Sequence, residues 1–68
     1  MQIFKTRLKA LRIEHGYTQR ELSQMIGLAQ PSYIRYENGG AEPTLENLCK
    51  LADIFDVSVD FLLGRAEI

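Results

Sequence analysis

The sequence predicts an all-α protein, a single compact bundle of five short helices over residues 1–68. Apolar residues recur at helical spacing in successive segments, capping residues precede those segments, and glycines follow several of them. No segment shows the alternation of polar and apolar residues that is typical of a strand. A chain of this length buries only about 60% of its unfolded surface, so every apolar helix face should enter one core.

The first helix is predicted over residues 2–15. Phe4, Leu8 and Leu11 recur at i, i+4 and i+7 and form one apolar face. Gly16 is suited to end the helix, and His15 is expected to be an exposed residue beside its negative end.

Two further helices with a tight turn between them are predicted over about 18–38. Thr18 and Glu21 form a capping box at the start of the first of these helices. Its apolar face should contain Leu22, Met25 and Ile26, with Gly27 in the turn. The next helix should run from about Gln30 to Glu37 and end at Asn38-Gly39. This arrangement matches the helix-turn-helix that binds DNA.

The third helix carries unusual polar residues on its outward side. Tyr33 and Tyr36 share a face that should be buried. The opposite side then presents Gln30, Pro31, Ile34 and Arg35. Gln and Arg side chains match the hydrogen-bonding edges of adenine and guanine, although any single one is more often a solvated surface residue. Ala29 offers no side-chain cap, and Pro31 is tolerated because it lies in the first helical turn.

The last two helices follow the loop that ends at Pro43. Thr44 is the predicted cap of the fourth helix, and Asp56 should end it. Its apolar stripe is predicted to comprise Leu45, Leu48, Cys49, Ala52 and Phe55, which would make Cys49 a core residue. Ser58 should cap the fifth helix, and Gly64 should follow it. The fifth helix supplies the apolar residues Val59, Phe61, Leu62 and Leu63.

The charge is unevenly distributed along the chain. A net charge of -1 alone argues weakly against nucleic acid as a partner. However, six of the eight basic residues lie at or before Arg35, whereas seven of the nine acidic residues lie from Glu37 onward. We therefore expect a molecule with one basic face.

Composition excludes several classes of protein. A single Cys and a single His cannot provide an internal disulfide, a zinc site or a catalytic constellation, so we expect no metal, no other cofactor and no enzymatic activity. No apolar run approaches the roughly 18 residues of a membrane span, and the N-terminus lacks a signal-peptide pattern. These features predict a cytoplasmic protein without a membrane partner, and no segment suggests a small-molecule ligand.

From Phe4 to Leu63, the chain resembles the helix-turn-helix family of the phage Cro and repressor type, also called the Xre family. The residues that carry the resemblance are Leu8, Leu11, Arg12, Gly16, Thr18, Gln19, Leu22, Gly27, the segment 33–39 that ends in YENG, Pro43, Leu45, Leu48, Ala52 and Val57. The resemblance implies a lambda-repressor-like fold whose third helix lies in the DNA major groove. It also implies a prokaryotic or phage protein of the cytoplasm, associated with the nucleoid.

The resemblance also implies roles for individual residues. Base-facing positions are Gln30, Pro31, Ile34 and Arg35. Positions that contact phosphate or brace the third helix are Gln19, Arg20, Ser32, Tyr33 and Asn38. Arg12 and Glu37 match a structural pair that joins the first helix to the third. Val57, Val59 and Leu63 are candidates for a dimer surface, although simple core packing explains them equally well.

Together these features predict a transcriptional regulator, of the repressor kind, that binds double-stranded DNA in a sequence-specific manner. The resemblance implies a homodimer on a pseudo-palindromic operator. Two alternatives remain open at this point. The chain could be an antitoxin or another protein-interaction module, or it could be the DNA-binding fragment of a longer regulator.

Overall fold

The computed structural model describes residues 2–68 and shows five helices with no strand in that part of the chain. The helices are α1 Gln2–Glu14, α2 Gln19–Met25, α3 Gln30–Asn38, α4 Leu45–Phe55 and α5 Val59–Leu63. Helix α3 packs against α1 and α2, and α5 packs against α1 and α4. The predicted all-α fold of five helices is therefore confirmed.

Caps that are local in sequence set the ends of the helices. Thr18 Oγ1 accepts a hydrogen bond from the Glu21 amide at 3.0 Å, and the Glu21 carboxylate accepts one from the Thr18 amide at 2.9 Å. Thr44 and Ser58 cap α4 and α5 through one bond each, in which the side-chain oxygen accepts from the amide three residues later. Gly39 ends α3 with a φ of 85°, a conformation that disfavours other residues. Each of the side-chain caps at Thr18, Thr44 and Ser58 typically contributes about 1 kcal/mol to stability.

The core combines apolar residues from all five helices. Its buried members are Phe4, Leu8, Leu11, Leu22, Ile26, Tyr33, Tyr36, Leu48, Leu51, Ala52, Phe55 and Leu62. Ser23 is also buried, and its hydroxyl donates to the Arg20 carbonyl at 2.7 Å. Because Ser23 is small and internally satisfied, α2 can approach α3 closely.

Two predicted apolar faces were partly wrong. In α2, Met25 is 47% exposed, because the buried side of the helix is centred between Leu22, Ser23 and Ile26. In α4, Cys49 is exposed and Leu45 is 81% exposed, whereas Leu51 is fully buried. The observed α4 stripe is Leu48, Leu51, Ala52 and Phe55. At 3.6 residues per turn, Cys49 lies about a third of a turn from the centre of that stripe.

The end of α1 lies close to the end of α4. Helix α1 ends at Glu14, and His15 lies in the following turn as an exposed residue, as predicted. The His15 ring meets the Phe55 ring edge-on with 4.9 Å between centroids. Over residues 2–68, no helix is both long enough and apolar enough to cross a membrane.

Candidate nucleic-acid interface

The outward side of α3 carries the predicted base-facing residues together. Gln30, Pro31 and Arg35 are exposed, and Ile34 is partly exposed. Tyr33 and Tyr36 lie on the opposite side of the helix, where both are buried. The two buried tyrosines therefore fix the rotation of α3 about its axis and turn the Gln and Arg side chains to solvent. Ala29 makes no side-chain cap, as predicted, and Pro31 lies in the first turn.

Arg35 is held by the turn that follows α3. Its Nη2 donates to the carbonyl of Gly40 at 2.9 Å, and the Gly40 amide donates to Oδ1 of Asn38 at the same distance. A guanidinium has five N–H donors in a fixed plane, so this bond orients the group and leaves most of its donors available. The turn thus presents Arg35 at the surface in a defined direction.

A cluster of four polar side chains lies beneath this surface, and we call it the Glu37 cluster: Arg12, Gln19, Tyr33 and Glu37. The Glu37 carboxylate, only 4% exposed, accepts from Arg12 Nε at 2.6 Å and Nη2 at 3.1 Å. It also accepts from Gln19 Nε2 at 3.3 Å and from the Tyr33 hydroxyl. The predicted Arg12–Glu37 pair is therefore present, with the bidentate geometry that arginine and carboxylate favour.

Arg12 extends the cluster to the turn between α1 and α2. Its Nη1 donates to the carbonyl of Tyr17, the residue just before the Thr18 cap, at 3.0 Å. One guanidinium therefore fixes both the start of α2 and the end of α3. As a result, the position of Gln19 relative to α3 is fixed.

The cluster shifts the pKa values of its members. Burial alone would raise the pKa of Glu37, but the hydrogen bonds from Arg12, Tyr33 and Gln19 outweigh it and lower that pKa. The hydrogen bond to Glu37 raises the pKa of Arg12. Burial, with a further contribution from Glu37, raises the pKa of Tyr33. Near neutral pH, the carboxylate and the guanidinium are thus charged and the phenol is neutral.

Two of the residues predicted to contact phosphate or to brace α3 bind Glu37. The Tyr33 side chain is 0% exposed and its hydroxyl binds Glu37, so no part of it is free to touch a DNA phosphate. Gln19 contacts α3 through Glu37, near the end of that helix. Arg20, Ser32 and Asn38 are exposed, and contact between these residues and DNA stays a prediction.

Four cations have no carboxylate partner within residues 2–68. Within residues 2–68, the ion pairs are Arg7–Glu67, Arg12–Glu37, Lys50–Glu46 and Arg65–Asp60. The remaining basic residues in that range are Lys5, Lys9, Arg20 and Arg35. Arg20 follows Gln19 at the start of α2, and Arg35 lies on α3 itself. That these four cations form the one basic face expected from the sequence stays a prediction.

Lys5 and Lys9 are the two of these cations that the sequence interpretation did not assign to a site. They line an open depression of about 400 Å³, together with Glu37 at the end of α3. The Lys5 stem also lies against Gly39, 3.2 Å from the position that a Cβ would take there. Their i, i+4 spacing places both lysines on one face of α1. The packing of α1 on α3 shows that this face adjoins the end of α3.

The candidate dimer residues lie at the junction of α4 and α5. Val57, Val59 and Leu63 are each partly buried and pack against the core. Both explanations, core packing and a dimer surface, are compatible with this intermediate burial.

No group of three metal-ligating side chains comes together within residues 2–68.

Comparison with known proteins places the chain in a family. The family model described as helix-turn-helix matches residues 8–62. The SPbeta prophage-derived uncharacterized HTH-type transcriptional regulator YonR of Bacillus subtilis is 44% identical over 61 residues, covering 90% of this chain and 56% of YonR. The cryptic phage CTXphi transcriptional repressor RstR of Vibrio cholerae is 43% identical over 61 residues, covering 90% of this chain and 54% of RstR.

A solved structure gives the same result. The P22 c2 repressor, crystallised in complex with a synthetic operator, matches with a TM-score of 0.87 and 29% identity over 97% of this chain and 100% of that chain. The chain spans about half the length of the curated relatives that it matches. Those relatives are named as transcriptional regulators, and none of the three proteins is named as an enzyme. The chain therefore belongs to the helix-turn-helix family of the phage Cro and repressor type.

Proposed function

We propose that this domain binds double-stranded DNA sequence-specifically, as the DNA-binding part of a transcriptional repressor, and reads the major groove with α3. The observation that carries the proposal is the outward side of α3, where Gln30 and Arg35 are exposed and Arg35 forms no ion pair within residues 2–68. Relatives named as regulators and the similarity to a repressor that was crystallised with its operator support it.

The proposed contacts fall into two groups. Gln30 and Arg35 hydrogen-bond to base edges, while Pro31 and Ile34 make apolar contacts with thymine methyl groups. Contacts to the phosphate backbone position the domain without reading sequence. The residues proposed for them are Lys5, Lys9, Gln19, Arg20, Ser32 and Asn38. The net charge of -1 does not oppose this, since four of the eight basic residues form no ion pair within residues 2–68.

Selection from a pool of random duplexes tests the proposal and returns the preferred sequence. Arg35→Ala should then weaken binding by about 1 to 3 kcal/mol and relax preference at one guanine position. Arg65→Ala is the matched control, because Arg65 is an exposed arginine that pairs only loosely with Asp60 at 3.9 Å. It should bind like the parent chain. A parent chain that enriches no sequence would refute the proposed function.

We further propose that two copies bind a pseudo-palindromic operator, with half-sites about 34 to 36 Å apart. The partly exposed residues Val57, Val59 and Leu63 supply the contact between copies. Analytical ultracentrifugation with the selected duplex should show two chains per duplex. A duplex that carries one half-site should hold one chain with lower affinity. A single chain on the complete operator would contradict the dimer.

A further inference from the structure

The Tyr33 hydroxyl is a buried polar group that the proposed DNA contacts leave without a role. The Tyr33 ring lies in the core, with its centroid 6.2 Å from that of Tyr36. Its hydroxyl donates to Oε2 of Glu37, one turn later on the same helix. A phenylalanine would fill the same space in the core, so packing alone does not account for the hydroxyl.

The bonds to Glu37 are distributed between its two carboxylate oxygens. Oε2 accepts from the Tyr33 hydroxyl and from Arg12 Nε. Oε1 accepts from Arg12 Nη2 and, at 3.3 Å, from Gln19 Nε2. The bond from Gln19 is the longest of the four and is made to the oxygen that Tyr33 does not touch. A rotation of the carboxylate away from its present plane would therefore break the Gln19 bond first.

Gln19 keeps hydrogen-bonding groups for a second partner. Its side-chain amide has two N–H donors and one carbonyl, and only one donor is directed to Glu37. Gln19 is partly exposed at the start of α2, next to the unpaired Arg20. The free groups of this amide are thus held in one orientation as long as Glu37 is held.

We propose that the Tyr33 hydroxyl is a positioning group for binding of the DNA backbone: it fixes the Glu37 carboxylate, which in turn orients the Gln19 amide toward a phosphate. This inference rests on the proposed function and deepens it. Tyr33 itself touches no DNA. It acts through two other side chains and therefore affects affinity for all sequences alike, without changing which bases are preferred.

The test is a double-mutant cycle on DNA affinity, measured by fluorescence anisotropy with the selected operator and with a random duplex. Tyr33→Phe should weaken binding to both duplexes by about two- to tenfold, the effect of one net hydrogen bond. In a Gln19→Ala background the same change should have no effect. In an Arg35→Ala background it should retain its full effect, because Arg35 lies outside the Glu37 cluster.

Tyr36→Phe is the matched control, since it makes the same change on the same buried face. The Tyr36 hydroxyl accepts from Asn47 of α4 and has no bond to Glu37. We expect this variant to bind DNA like the parent chain. The side-chain amide resonance of Gln19 gives a check without DNA: it should shift in Tyr33→Phe and stay in place in Tyr36→Phe.

The outcomes separate the two proposals. If the parent chain binds its operator and Tyr33→Phe binds equally well, the positioning role is refuted and the proposed function stands. If Tyr33→Phe lowers DNA affinity equally in the parent chain and in the Gln19→Ala background, the hydroxyl has only a structural role, which also overturns the inference. If the parent chain binds no duplex, both proposals fail.

Discussion

Glu37→Gln should lower the free energy of unfolding by about 3 to 5 kcal/mol near neutral pH, because it removes one partner of a buried ion pair. Arg12 would keep its charge with a side chain only 13% exposed, and the Tyr33 hydroxyl would lose a charged acceptor. Small domains commonly have total stabilities of about 5 to 15 kcal/mol, so this loss would remove a large fraction. Urea unfolding followed by circular dichroism measures it.

The same variant should change how stability depends on pH. The pKa of Glu37 in the folded protein lies below its ordinary value of 4.5. Its stabilising contribution is therefore fully present above that value and is lost as the pH falls through the lowered pKa. The difference in stability between the parent chain and Glu37→Gln should shrink as the solution becomes acidic.

An exposed carboxylate provides the control for this prediction. Glu14 lies on the surface of α1 and forms no ion pair within residues 2–68. Glu14→Gln should follow the parent chain at every pH. If the free energies of unfolding of the parent chain and Glu37→Gln differ by the same amount from neutral to acidic pH, Glu37 is not held as a charged group.

The Glu37 cluster explains why stability and proposed DNA binding are linked in this small domain. Arg12 comes from α1, Gln19 from α2, and Tyr33 and Glu37 from α3, so one carboxylate connects three helices. Loss of affinity in a Glu37 variant would therefore combine a weaker fold with a misplaced Gln19. Tyr33→Phe is the more informative change for function, since it keeps the ion pair and the packing of the ring.

Local features of this structure were predictable from sequence, whereas features that depend on how helices dock were not. The capping box of Thr18 and Glu21 lies within four residues and follows from side-chain chemistry. The Arg12–Glu37 pair spans 25 positions and was expected only from the family resemblance. The position of Lys5 against Gly39 was not predicted at all, because it depends on the angle at which α1 crosses the end of α3.

The buried side of α4 also depends on how the helices dock, and it differs from the predicted side at Leu45 and Leu51. Leu51→Ala should lower the free energy of unfolding by about 2 to 5 kcal/mol, since it leaves a cavity at a fully buried position. Leu45→Ala makes the identical change on the same helix at a position 81% exposed, and it should alter stability by no more than about 0.5 kcal/mol. Urea unfolding of both variants compares them directly.

The two leucines discriminate between two apolar stripes that fit the spacing of α4 almost equally well. The stripe predicted from sequence contains Leu45 and Cys49, and the observed one contains Leu51 and places Cys49 at the surface. Helical period alone cannot choose between them, because they share Leu48, Ala52 and Phe55. The choice depends on how the other helices, α5 among them, pack against α4. A larger loss for Leu45→Ala than for Leu51→Ala would mean that α4 is rotated toward the first stripe.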